Sequence, residues 1–188
     1  MIDPLAEVVA LLRPGAPFSK IVSGAGAWRV RRTEAGRPFY CVVLDGLCRL
    51  AEDGREPIDL QAGDFVLIPA TYGFRMSSRA PEAADALDST PIALPGGEYR
   101  VGDADAAPDV RLLIGYCTFG SPDAALLVSL LPQRIHVRGE PRLATLVRLV
   151  VDESRERRPA RDVVLARLLE VLLIEALRST AQTTASPA

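Results

Sequence analysis

The sequence predicts a mainly β fold, a small sandwich or barrel, accompanied by helices. Tight-turn signals recur at Asp45-Gly46, Asp53-Gly54 and Ala62-Gly63-Asp64, where glycine tolerates the positive φ such turns require. Short apolar runs fill the intervals, most clearly between Gly36 and Pro69. After Ser121-Pro122 the period changes, and longer amphipathic stretches follow. Together these read as consecutive short strands, then helices.

The elements follow in order. Asp3 is an N-cap with Pro4 at the first helical position, and Leu5, Val8, Val9 and Leu12 recur at helical spacing before Pro14-Gly15 ends the helix. From Phe18 to Val30 the pattern is extended, with Trp28 and Val30 alternating against Arg29 and Arg31. A hairpin closing at Asp45-Gly46 would pair Val43 with Cys48 and Cys41 with Leu50 on one face, leaving Tyr40 and Arg49 on the other. Residues 79–108 lack periodicity and are rich in Ala, Asp, Pro and Gly; they read as a long loop, either a lid or a tolerated insertion. Val110 to Phe119 is the last clear strand. Ser121 is an N-cap for a short helix through Leu130. Pro141 to Arg155 carries an apolar stripe of Leu143, Leu146, Val147 and Val150.

The segment from Arg161 to Arg178 is apolar nearly all round. Leu165, Leu169, Leu172, Leu173 and Ala176 form one stripe, with Val164, Val171 and Ile174 on the opposite side. Such a helix must be covered on both sides. A small domain offers one covering surface, so a subunit interface is expected here, the other reading being burial within the chain. Val164, Leu165, Leu168, Leu169, Leu172 and Leu173 are the candidate interface residues.

Composition bounds the function. With 188 residues, 48% of them apolar, the chain can bury a real core. A net charge of −2, from 22 basic and 24 acidic residues, gives no nucleic-acid-binding signature. Arginine supplies all the basic residues except Lys20, a bias that reads as genomic composition. No signal peptide is visible and no apolar run spans a membrane. The three cysteines, Cys41, Cys48 and Cys117, read as buried reduced thiols of a cytoplasmic protein, with Cys117 facing away from the other two.

Stretches 43–48 (Val-Leu-Asp-Gly-Leu-Cys) and 60–69 (Leu-Gln-Ala-Gly-Asp-Phe-Val-Leu-Ile-Pro) resemble the cupin-type sensor domain of AraC-family transcription regulators. Asp3-Pro4-Leu5, the Trp28 strand, and stretches 112–116, 131–137 and 172–178 fit in the same order. The resemblance implies a cupin-like β-barrel (double-stranded β-helix or jelly roll) at 1–120 and a C-terminal antiparallel helix pair within a dimerisation region at 121–180. A linker-like tail would occupy 181–188. It further implies a small-molecule effector, a homodimer, and DNA binding only through a separate helix-turn-helix domain expected to be absent from this chain. The pair 141–155 and 161–178 is not itself a reader, because its second helix spends its positions on aliphatics rather than on groups that meet base edges.

The chemistry-bearing residues point the same way. Related sensor domains commonly carry His where this chain has Cys41 and Phe74. A phenyl ring cannot ligate an ion and a lone thiolate makes a poor site, so neither metal nor other cofactor is expected. The one histidine, His136, reads as structural, bonded to backbone, and Asp64 as a turn residue, so no catalytic residue is assigned and no enzyme is expected. What remains is an interior lined by Trp28, Phe39, Cys41, Cys48, Phe74, Met76 and Tyr116, suited to a largely apolar effector held by groups such as the Tyr116 hydroxyl and the Trp28 N–H. The alternatives are an interior simply filled by these side chains, a stand-alone cupin isomerase or dioxygenase, or a non-catalytic binding cupin.

Overall fold

The computed structural model describes residues 4–33, 36–70, 73–79, 88–156 and 158–184. Helix α1 (Pro4–Leu12) leads into β1 (Pro14–Ala25), β2 (Arg29–Arg32), β3 (Phe39–Asp45), β4 (Leu47–Glu52), β5 (Ile58–Gln61), β6 (Phe65–Ile68) and β7 (Phe74–Ser77). Strands β8 (Ile92–Ala93), β9 (Tyr99–Gly102) and β10 (Val110–Phe119) follow, then α2 (Ala124–Ser129), β11 (Ile135–Val137), α3 (Pro141–Arg155) and α4 (Arg161–Thr184). They form a seven-stranded sheet, ordered β11-β6-β3-β10-β1-β9-β8, and a four-stranded sheet, ordered β2-β7-β4-β5.

Three layers result. Between the sheets lies one core, with Phe39, Cys41, Val43, Val66 and Leu112 from the large sheet meeting Cys48, Leu50, Leu60, Phe74 and Met76 from the small one. A second core lies behind the large sheet, where Tyr40, Val42, Phe65, Leu67 and Leu113 meet Leu143, Val147, Leu165, Leu169 and Leu172 of α3 and α4. Strand β3 is buried on both faces, which is why Phe-Tyr-Cys-Val-Val-Leu reads as an unbroken apolar run.

Several expectations change. The sheets face each other as a sandwich and do not close into a barrel. The Asp45-Gly46 turn is not a hairpin: β3 pairs with β6 and β10, while β4 pairs with β5 and β7, so the turn carries the chain from one sheet to the other. Gly46 is required there, at φ +81°, because an added Cβ would lie 2.0 Å from the Asp109 carbonyl oxygen. Cys41, Val43, Cys48 and Leu50 nevertheless share one core, facing one another across the layers rather than along a ladder. Asp53-Gly54 does close a hairpin, joining β4 to β5.

The stretch expected to be a loop contains β8 and β9, and β9 runs parallel to β1, pairing Val22 with Tyr99 and Gly24 with Val101. Asp123, not Ser121, sits at the N-cap of α2; the Ser121 hydroxyl accepts the Asp123 N–H at 3.2 Å. Helix α4 runs to Thr184, into the stretch read as a linker. It is covered by its own chain on more than one side, by β1, β11, α3 and α1. Leu165, Leu169, Leu172 and Leu173 are buried inside the chain. Of the six candidate interface residues, Val164 is exposed and Leu168 half-buried. Asp3, segment 80–87 and the last four residues lie outside the described residues.

Candidate functional site

At one end of the inner core the two sheets part into a cleft of about 30 Å³. Trp28, Phe39, Phe74 and Met76 line it with Val22, Val30, Leu112 and Ile114, and Lys20 and Arg32 stand among them. The interior is otherwise well filled: the rings of Phe39 and Phe74, from opposite sheets, are 4.5 Å apart and tilted by 41°. Tyr116 meets Phe39 edge-on at 6.2 Å, and the Arg37 guanidinium lies 5.3 Å above the Tyr116 ring.

Of the seven candidate ligand residues, Trp28, Phe39, Phe74 and Met76 line the cleft. Cys41 and Cys48 belong to the same core but not to the cleft, and Tyr116 packs beside it. The backbone of Trp28 is pinned between strands: its N–H donates to the Ser78 hydroxyl at 3.2 Å and its carbonyl accepts the Ser78 N–H at 3.0 Å. Its indole N–H is buried without a hydrogen-bond partner among the described residues. That nitrogen lies 2.5 Å from where a Cβ on Gly24 would stand, so the absence of a side chain at Gly24 admits the ring. The N–H thus packs against β1.

All three thiols are free and buried. Burial pushes the Cys41 thiol far above its ordinary value, and pushes Cys48 and Cys117 up to about 12. Cys117 lies in the helix-side core, away from the other two, as the alternation along β10 indicates. A cupin-type metal would need donors at Cys41 and Phe74; a thiol that resists ionisation and a stacked phenyl ring do not fit one. Among the described residues no cluster of three or more His, Cys, Asp or Glu side chains could hold a metal ion.

His136 is the sharpest departure. It sits on β11, the edge strand of the large sheet, and its Nε2 lies 3.2 Å from Oδ2 of Asp64, so its partner is a side chain rather than backbone. Asp64 is only 1% exposed. It accepts the Gln61 N–H at 2.9 Å, in keeping with a turn residue, and a two-pronged pair from Arg138 at 2.9 and 2.6 Å. Burial pushes its carboxyl up, but the bonds from Arg138, Gln61 and His136 outweigh this and hold it below the usual carboxylate range. Arg138 also donates to the Asp59 carbonyl at 3.0 Å, so the cluster ties the edge of the large sheet to β5 of the small one. It is a structural clamp.

Lys20 and Arg32 went unmarked in the sequence. Alternation puts them on the inner faces, Lys20 with Val22 and Arg32 with Val30, but their charge argued for water.

Two facing sheets with a lined cleft between them and helices packed behind define a cupin-type sandwich. Residues 3–182 match the family described as Cupin, and the chain belongs to that family. It is 31% identical over 177 residues to a putative AraC-like transcription regulator of Streptomyces lividans, covering 92% of this chain and 57% of that protein. It is 30% identical over 181 residues to another of Streptomyces antibioticus, covering 94% of this chain and 59% of that one. The chain thus spans under two thirds of the length of these relatives. Among solved structures, apo ToxT from Vibrio cholerae aligns over 90% of this chain and 56% of its own, at 8% identity and a TM-score of 0.48. Among the described residues no helix is long and apolar enough to cross a membrane.

Proposed function

We propose that this chain is the effector-sensing and dimerising module of a cytoplasmic AraC-like transcription regulator, a binding module rather than an enzyme. The observation that carries the sensing role is the cleft, where four aromatic and sulfur-bearing side chains from both sheets converge on a small opening. The regulatory role is supported by the relatives, whose matched part is this whole sandwich with its helices. Their further length leaves room for a domain that reads DNA.

In this reading an effector binds one arrangement of the two sheets better than another and so shifts how a dimer presents its DNA-reading domains. The dimer seam is the outer face of α4, where Val164, Leu168 and Val171 fall at helical spacing on one stripe and both valines are exposed, at 41% and 44%. Sedimentation at micromolar concentration tests this: a dimer is expected for the natural chain, and a folded monomer for the double variant Val164→Glu, Val171→Glu. A natural chain that sediments as a monomer, or a variant that remains dimeric, would remove α4 from the proposal.

A further inference from the structure

In a sandwich, strand positions that face the partner sheet are apolar unless something compensates them. Three charged residues occupy such positions. Glu52, beyond Cys48 and Leu50 on β4, is answered by Arg134. Lys20 shares the inner face of β1 with Val22, and Arg32 shares that of β2 with Val30. These two come from opposite sheets, and neither has a carboxylate partner among the described residues.

Among the described residues, Asp53, Asp88 and Glu98 are engaged by other arginines. Arg29 and Arg31, on the outer face of β2, take Asp88 and Asp53 at 2.9 and 2.6 Å, and Arg111 takes Glu98 at 2.7 Å. The ammonium of Lys20, the chain's one lysine, lies 4.4 Å above the Tyr99 ring. Burial, together with the positive charge of Arg32, lowers its pKa, as expected of a cation held beside another without a counter-ion.

The cleft therefore joins an apolar, aromatic floor to a cationic mouth. We infer that its effector is a small amphipathic anion, an arylalkyl carboxylic acid whose carboxylate sits between Lys20 and Arg32 and whose ring lies among Trp28, Phe39, Phe74 and Met76. Arg32 presents its N–H groups to the carboxylate as a planar fork and Lys20 adds a further donor. As it stands the cleft holds about 30 Å³, so the ring enters as the flexible Met76 and Lys20 chains swing aside. That movement is the rearrangement a sensor transmits. The inference rests on the sensing role proposed above and names the chemistry it reads.

Trp28 is the chain's one tryptophan and lines the cleft, so its emission reports occupancy directly. The purified chain is titrated with 3-phenylpropionate, 3-phenylpropan-1-ol and 3-phenylpropylamine. The acid is expected to bind saturably and about tenfold or more tighter than the alcohol, with the amine weakest. Arg32→Gln and Lys20→Met, tested separately, bring the acid down to the alcohol's level while the alcohol's affinity is kept, which shows each variant folded. Equal binding of acid and alcohol, or an advantage that survives both substitutions, overturns the anion inference and leaves the sensing role standing. Failure of the acid to bind at all also overturns it; the sensing role is then judged separately, by ligand screening against a cleft-filled variant.

Discussion

Replacing Asp64 by Asn tests the clamp between the sheets. The carboxylate is 1% exposed and accepts from Arg138, the Gln61 N–H and His136. Asn keeps the shape and one acceptor but turns an NH2 group toward donors. A hydrogen bond to a charged group contributes about 1.5–3 kcal/mol, and breaking a fully buried ion pair costs about 3–5 kcal/mol. Arg138 is 47% exposed and regains water when released, which discounts the upper figure. The expected loss is about 2–3 kcal/mol, or about 4–12 °C in Tm for a chain this size. Urea titration followed by circular dichroism and Trp28 emission measures it. The sign with pH follows: the folded carboxyl is held below its unfolded value, so its contribution is complete above the unfolded value, near pH 4, and fades as pH falls through the folded one. The gap between natural protein and variant should narrow in acid. A loss under about 0.5 kcal/mol at neutral pH, where an ordinary surface substitution falls, would refute the reasoning. So would a gap that stays constant into acid.

Two further outcomes follow from local geometry. Gly46→Ala should cost more than about 2 kcal/mol, since it adds a backbone collision 2.0 Å from the Asp109 oxygen to the left-handed strain. Gly54→Ala, at φ +77° with nothing within 4 Å of its Cβ, should cost only about 1–2 kcal/mol; equal losses in urea midpoints would contradict the crowding at Gly46. Cys41, Cys48 and Cys117 should be silent to Ellman's reagent in the native protein and react together on unfolding, and fast native labelling of any one would contradict their burial.

Much of the architecture was legible because strands and turns leave local marks. Asp53-Gly54 lies in the turn that joins β4 to β5, and alternation groups Phe39, Cys41 and Val43 on one face, though an unbroken apolar run cannot say which sheet that face meets. Asp45-Gly46 misled because a turn signal shows where the chain reverses but not whether the next strand joins the same sheet or crosses to the facing one. Strand β9 was invisible: four residues, Tyr-Arg-Val-Gly, carry no period, and their order comes from β1 alongside. The apolar stripe of Leu165, Leu169 and Leu172 was legible from its spacing, but not which elements cover it, because the reach of β1, β11 and α3 over one helix is a tertiary fact. Within the cleft, Trp28, Phe39, Phe74 and Met76 were found as apolar and aromatic residues on inward positions. Lys20 and Arg32 were not: they hold the same parity as Val22 and Val30, but their charge argued for water, and that both line one cleft appears only once the two sheets are laid face to face.

The claim that the cleft receives a small molecule is tested most directly by filling it. Val30 lines the cleft from β2, an edge strand that tolerates a larger side chain, so Val30→Trp should close it while the fold, checked by circular dichroism, persists. A ligand-observed NMR screen of small organic acids and alcohols against both proteins is the measurement. The account predicts compounds that bind the natural chain and are lost from the folded variant; compounds that bind both equally would place the effector elsewhere and contradict it.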